Sequence, residues 1–321
     1  MTVLTDPLRP AAPRIWQLWA MVAVAGLAWG LTGPLTKVAI STGHHAIGVS
    51  FWNTLIAALV LTAILVLRRQ RLPVTRAHLR LYLAAGFLGT AVPNSLSFTG
   101  YAHLPVGIMV MMLSLIPMVT LLVAWPLGLE RPTPRRLVGL GLGVLGVAMI
   151  VLPGTSLPDP SKAIWILAPL VVALCYSGEG IVIAWADLKD LGPLTTLCGL
   201  SWGALTMITP VMLASGTGFD LLVLETPELA VVGLAMLNLV AYANYIWLIG
   251  NAGPVFAAQV GYVVTGTGVL LGMILFGERH SPWVWAALAV VVLGLTLVQP
   301  RRPKPVSVTA PGPVPQSPAK M

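Results

Sequence analysis

The chain has 321 residues, 57% hydrophobic and only 9% charged, whereas an ordinary soluble domain carries about 25% charged residues. A soluble fold of this length cannot hide so much apolar surface, and a lipid bilayer accepts it. The net charge of +8 would suit nucleic acid or an acidic partner, but the basic residues are placed as membrane-topology signals, so no nucleic-acid partner is expected.

In chain order, the first apolar run, about Leu18 to Ile40, follows Arg9 and Arg14. It is longer than the roughly 7–15 residues of a cleaved signal core and reads as a retained span. Ten segments are long enough to cross or nearly cross a ~30 Å hydrocarbon layer. They run 18–40, 48–67, 79–99, 104–127, 136–152, 163–186, 194–214, 228–249, 254–276 and 282–298. Turn breakers such as Pro153-Gly154 and Gly253-Pro254 separate them. Residues 1–17 form a short leading segment, and a proline-rich tail, 299–321, is expected to be disordered. Cys175 and Cys198 both lie in apolar runs and carry no information on redox compartment.

With the N-terminus cytoplasmic, fifteen lysines and arginines fall in inside segments, and only Lys162 and Arg279 fall outside. That asymmetry sets the orientation and favours an even number of spans. The pattern E-R-x-x-P-(x)11-G occurs twice, at Glu130-Arg131 to Gly146 and at Glu278-Arg279 to Gly294, with an offset of 148 residues. Five spans end with each copy, so the second copy must insert upside down relative to the first. The expected fold is all-α: ten transmembrane helices in two inverted five-helix repeats, 18–152 and 163–298. In such architectures the substrate site lies near the midplane between halves.

Particular residues then carry a resemblance. Trp29-Gly30 is followed by Lys37, seven residues after the glycine; the fourth span holds Ser114-Leu115-Ile116-Pro117 and leads to Gly128-Leu129-Glu130; the second half closes with Phe276-Gly277-Glu278. In this order the chain resembles the EamA-type exporters of the drug/metabolite transporter superfamily over about residues 18–298. The resemblance implies a ten-helix exporter of small metabolites or drugs in a bacterial-type inner membrane, multi-pass, with both termini cytoplasmic. Departures from the family pattern are Asn53 in place of an arginine, Thr265 in place of a proline, and Ser177-Gly178 and Trp185 where Trp29-Gly30 and Lys37 would align.

Gly141, Gly143 and Gly146 spell G-x-G-x-x-G, but no strand precedes them and no acid follows at the required distance, so they read as helix packing. No nucleotide or metal motif occurs, and no cofactor is expected. The methionines Met109, Met111, Met112 and Met118 read as adaptable packing. Trp16, Trp19, Trp125, Trp165, Trp283 and Trp285 fall near span ends, as an interfacial aromatic belt requires. Polar stripes at helical spacing run through the third span (Thr90, Asn94, Ser97, Tyr101), the seventh (Trp202, Thr206, Thr209), the eighth (Asn238, Tyr242, Tyr245, with Asn244 opposite) and the ninth (Gln259, Tyr262, Thr265). Uncharged polar groups avoid lipid, so these faces point to partner helices or a hydrated cavity.

Away from span ends, two charged residues fall within spans, Lys37 and Glu179. A mid-span acid costs roughly 2.5–3.5 kcal/mol on insertion scales, so Glu179 is expected to bind a substrate ammonium or a coupling proton. Glu130 and Glu278 are expected to be structural, fixing the bend into the next span. The expected pocket comprises Trp29, Lys37, Asn94, Glu179, Trp202, Asn244, Gln259 and Tyr262. The expected function is secondary export of a small metabolite, such as an amino acid, by alternating access. The alternative is an integral-membrane enzyme such as a lipid-modifying transferase, which would gather several acids, or a histidine and an acid, at one membrane face.

Overall fold

The computed structural model describes residues 13–41, 43–130, 133–151, 159–186, 188 and 191–298. The expected turn at Pro153-Gly154, the proline-rich tail and most of the N-terminal segment lie outside them. All secondary structure among the described residues is helical.

The first half comprises α1 (Ile15–Ser41), α2 (Ala46–Leu67), α3 (Arg76–Gly86), α4 (Val92–His103), α5 (Val106–Leu113), α6 (Ile116–Ala124) and α7 (Pro134–Val151). The second comprises α8 (Leu167–Ala186), α9 (Pro193–Ser215), α10 (Thr226–Ala252), α11 (Pro254–Ala257), α12 (Val260–Phe276) and α13 (Pro282–Val298). By length and composition, six helices are suited to cross a membrane: α1, α2, α9, α10, Val106–Ala124 and Ser161–Ala186. The shorter α12 and α13 are also apolar. Many large apolar side chains, among them Leu59, Val144, Leu213 and Ile274, face outward, as lipid contact requires and water does not reward.

Three expected spans are not plain helices. The third runs from α3 to α4 through a π turn, Phe87–Ala91, in which the Val92 N–H returns to the Phe87 carbonyl. Pro93 follows at once and has no N–H to complete an ordinary α-helical ladder. The fourth breaks at Ser114-Leu115, just before Pro117, into α5 and α6. The ninth breaks at Ala258-Gln259 between α11 and α12.

Close packing rests on small residues. Gly139 of α7 and Gly294 of α13 approach each other's backbone, so a Cβ at either would press on the other's carbonyl oxygen at 2.7–2.8 Å. Gly143 lies against Met118, so the glycine run is a packing surface. The methionine cluster is core: Met109, Met111, Met112 and Met118 are buried with Leu115, Val269 and Val291. Helix α1 packs on α10 and α12, α8 on the α3–α4 segment and α6, α2 on α9, and α7 on α13.

Candidate functional site

Two polar centres lie inside the bundle. The first is at the end where α1 finishes, the Ser41 end. Gly277, at φ +63°, closes α12 in the left-handed region. The Gly277 and Glu278 N–H groups both return to the Gly272 carbonyl, the latter at 3.3 Å, a closure that only a residue tolerant of positive φ allows cheaply. This turns Glu278 back into the bundle, where its side chain is 7% exposed. Its carboxylate meets Lys37 of α1 at 3.0 Å and accepts the N–H groups of Val106 (2.6 Å) and Gly107 (3.1 Å) at the start of α5. That is an anion held at a helix N-terminus, paired with a cation. The Lys37 ammonium also lies 5.0 Å from the centroid of the Phe276 ring.

The expectation that Glu278 is structural finds a stronger reason than a helix bend, and its partner is Lys37 of α1 rather than the adjacent Arg279. His280 lies 3.7 Å from the same carboxylate, with its side chain 2% exposed. Burial holds its imidazole below the ordinary histidine value, and the Glu278 charge opposes that shift more weakly.

The sequence copy at Glu130 builds nothing comparable. At the 148-residue offset, Trp185 stands opposite Lys37, and Pro254, which lacks an N–H, stands opposite Val106. Without the counterparts of Lys37 and of the Val106 amide, Glu130 stays 46% exposed and pairs instead with Arg136 at 2.6 Å.

Other contacts tie the Ser41 end together. His44 meets Glu228 at 2.6 Å and stacks on Phe219 at 3.9 Å; His103 stacks on Trp165 at 3.9 Å. A cavity of about 190 Å³ there is lined by Lys37, His103, Pro105, Asp159 and Lys162 among others. The Ser161 hydroxyl and amide hold the Asp159 carboxyl below the usual carboxylate range. A larger cavity of about 450 Å³, lined by Leu115, Met118, Leu122, Leu140 and Val147 among others, is apolar throughout.

The second centre lies deeper. Trp29 is eight residues before Lys37, about 12 Å along α1 at 1.5 Å per residue. Its ring packs edge-on against Tyr242 at 5.2 Å and tilted against Tyr245 at 5.4 Å, both on α10. The Glu179 carboxylate of α8 is within electrostatic reach of Tyr242 and of Tyr176, one turn earlier on α8. It lies directly over Gly89 in the π turn, where any Cβ would overlap the carboxyl carbon. Glu179 is partly exposed and makes no hydrogen bond or ion pair with a described residue. The π turn of the first half and α8 of the second thus meet at one carboxylate.

Of the expected pocket residues, Trp29 packs on Tyr242, and Glu179 is within electrostatic reach of that same tyrosine. Lys37 is held apart at Glu278. Asn94 is partly buried on α4, about one turn past the π turn. The Asn244 amide donates to the Val240 carbonyl of its own helix at 2.8 Å. Gln259 lies at the α11–α12 break, and Tyr262, one turn on, packs against the methionine core. Trp202 is on the α2–α9 seam, 37% exposed, with its indole N–H donating to Thr62 at 2.9 Å. Sequence reasoning passed over Tyr176 and Gly89. Tyr176 is three residues before Glu179, a spacing that shares its helix face; nothing local marks Gly89.

Residues 14–152 match the EamA-like transporter family. Over 303 residues the chain is 30% identical to an uncharacterized inner membrane transporter, YedA, of Escherichia coli (strain K12), covering 90% of this chain and 92% of that one. It is 21% identical to a probable terminal-alkyne amino-acid exporter of Streptantibioticus cattleyicolor, covering 88% and 93%. It is 24% identical to a riboflavin transporter of Brucella anthropi, covering 84% and 93%. One solved chain, described only as the crystal structure of a protein, matches with a TM-score of 0.58 at 17% identity, covering 88% of this chain and 96% of that one; this is a likeness of fold alone. The polytopic helical bundle and these relatives identify a membrane transporter: the chain belongs to the EamA-like transporter family.

Proposed function

We propose that this protein is a secondary transporter that exports a small metabolite, an amino acid or related compound, across the inner membrane by alternating access. Its ten spans form two inverted repeats, 18–152 and 163–298, with both termini cytoplasmic; no cofactor takes part, and protons are the coupling ion. The observation that carries this reading is the Glu179 carboxylate, partly exposed over Gly89 of the first half and within electrostatic reach of Tyr176 and Tyr242, the latter packed on Trp29. The helix pairings support the inverted repeat, because exchanging first-half elements for their second-half counterparts turns the α1–α10 contact into α8 on the α3–α4 segment, and leaves α2–α9 and α7–α13 unchanged. The broken fourth and ninth spans are of the kind that builds transporter binding sites. The probable amino-acid exporter and the riboflavin transporter among the relatives support a small-molecule substrate of that size range.

The two histidine–acid pairs at the Ser41 end are taken up in packing: the Glu278 carboxylate beside His280 is held by Lys37 and the Val106 and Gly107 amides. The His44–Glu228 pair at one face is stacked under Phe219 and closes on itself. The test is uptake of a labelled metabolite panel into everted vesicles, with and without the protein. Accumulation of at least one compound that collapses when the proton gradient is dissipated supports the reading. Uptake of every compound equal to the empty-vesicle control overturns it.

A further inference from the structure

We infer that Glu278, Lys37 and the first amides of α5 form a releasable gate that closes the Ser41 end of the transport path, and that Glu278 leaves its socket when that end opens. The inference rests on the transport reading above and adds the contact that alternating access has to break.

The gate is built across the halves. Alternating access parts two halves at one end of the path while the other end stays joined. Glu278 comes from the end of α12 in the second half, and its partners Lys37, Val106 and Gly107 all belong to the first. Two further contacts join the halves at the same end. His44 meets Glu228 at 2.6 Å, and the Trp52 indole N–H donates to the Phe219 carbonyl at 2.9 Å. A parting of the halves at this end breaks all of them together.

The socket fits the carboxylate. A Cβ at Gly272 would stand 2.5 Å from Glu278 Oε2, and one at Gly107 would stand 2.6 Å from His280 Nε2. Both glycines thus leave room that the turn after α12 fills. A docked ion pair and two hydrated ions differ little in free energy, whereas one ion left buried alone is costly. The contact therefore has two acceptable states, docked and solvated, and disfavours those between. Lys37, 29% exposed, also lines the cavity shared with His103, Asp159 and Lys162, which is roomy and polar enough to hydrate it on release. The other end has no copy of this gate. At the 148-residue offset Trp185 and Pro254 stand for Lys37 and Val106, and Glu130 pairs with Arg136 of its own half. Loss of the gate accordingly biases the protein toward the state open at the Ser41 end.

The test is a spin-label distance across the gate, measured by pulsed electron paramagnetic resonance on the purified full-length protein in lipid nanodiscs. Labels are placed at Ser41→Cys, at the end of α1, and Leu275→Cys, in the last turn of α12, with Cys175 and Cys198 replaced by serine. Both positions are exposed, and neither side chain belongs to the gate. The otherwise native protein is expected to show one dominant short distance. Lys37→Met is expected to raise the ratio of a longer to the short distance by about tenfold or more. Lys37→Arg, which keeps the charge, is expected to stay near the native distribution. Gly272→Ala keeps every charge and displaces only the end of the flexible Glu278 side chain, so it carries the same expected shift should Lys37→Met fail to fold.

An unchanged distance in Gly272→Ala and in folded Lys37→Met would show a structural tie and overturn the gate, even where the unfolding temperature falls. Distance and flux are read separately. Flux by the native protein with an unmoved distance in the variants leaves the exporter and sinks the gate. A lengthened distance in a protein that moves no compound in vesicles keeps the opening and sinks the transport reading.

Discussion

Lys37 and Glu278 stand 241 residues apart in the chain and 3.0 Å apart in space. They join α1 to the end of α12, and the same carboxylate holds the first amides of α5. Removing one partner of such a pair leaves the other buried without its counter-charge, which costs about 3–5 kcal/mol in buried sites. Lys37 is 29% exposed, so the lower end of that range is expected. Lys37→Met and Glu278→Gln should each lower the unfolding temperature in detergent, and the double variant should lose clearly less than their sum. Additive losses would show that the pair is not coupled.

His280 gives the protein a pH-dependent stability. Burial places its folded-state pKa below 6.5, so as pH falls below 6.5 the unfolded chain takes up a proton that the folded protein refuses. Stability is therefore unaffected above that pH and declines below it, until the folded imidazole also titrates. His280→Gln is expected to flatten this part of the curve of unfolding temperature against pH. An identical slope in the variant would contradict the assignment.

Gly89 is expected to be intolerant of any side chain, because a Cβ there occupies the place of the Glu179 carboxyl carbon. Gly89→Ala should fold and insert but lose most transport. Gly141→Ala, whose Cβ would meet no side chain or neighbouring helix, should be neutral or stabilised by up to about 1 kcal/mol. Equal transport by both variants would remove Gly89 from the site.

Much of this arrangement was legible from local signals. Apolar runs bounded by breakers marked the helices, and Pro117 and Gly277-Glu278 marked a break and a turn that the structure contains. Glu179 stood out because a mid-span acid is costly. What local signals could not carry was pairing at a distance. That Lys37 would find Glu278 rather than Glu179 depends on two helix ends from opposite halves meeting, and neither run of residues encodes the other. The π turn over Gly89 was invisible for a related reason: Pro93 signals a disturbed ladder but not how the chain absorbs it. Trp202 reads as a pocket residue by its stripe, yet the partner of its indole, Thr62, lies 140 residues away on α2.

The proposed inversion predicts that Thr133 and Arg279 lie on opposite sides of the membrane despite the shared E-R-x-x-P pattern. Both residues are exposed, whereas the Ser281 hydroxyl is buried and would label poorly. In a background with Cys175 and Cys198 replaced by serine, Arg279→Cys is expected to react with an impermeant thiol reagent in intact cells. Thr133→Cys should react only after permeabilisation. Equal labelling of both in intact cells would contradict the inversion.

The most direct test of a transport site at Glu179 is substrate flux in proteoliposomes across an imposed pH gradient, comparing the native protein with Glu179→Gln. The substitution keeps the size of the side chain and removes its charge. The expected result is normal insertion, with flux lost or no longer responsive to the gradient. Flux at the native rate with unchanged response to the gradient would show that Glu179 is structural and contradict the proposed mechanism.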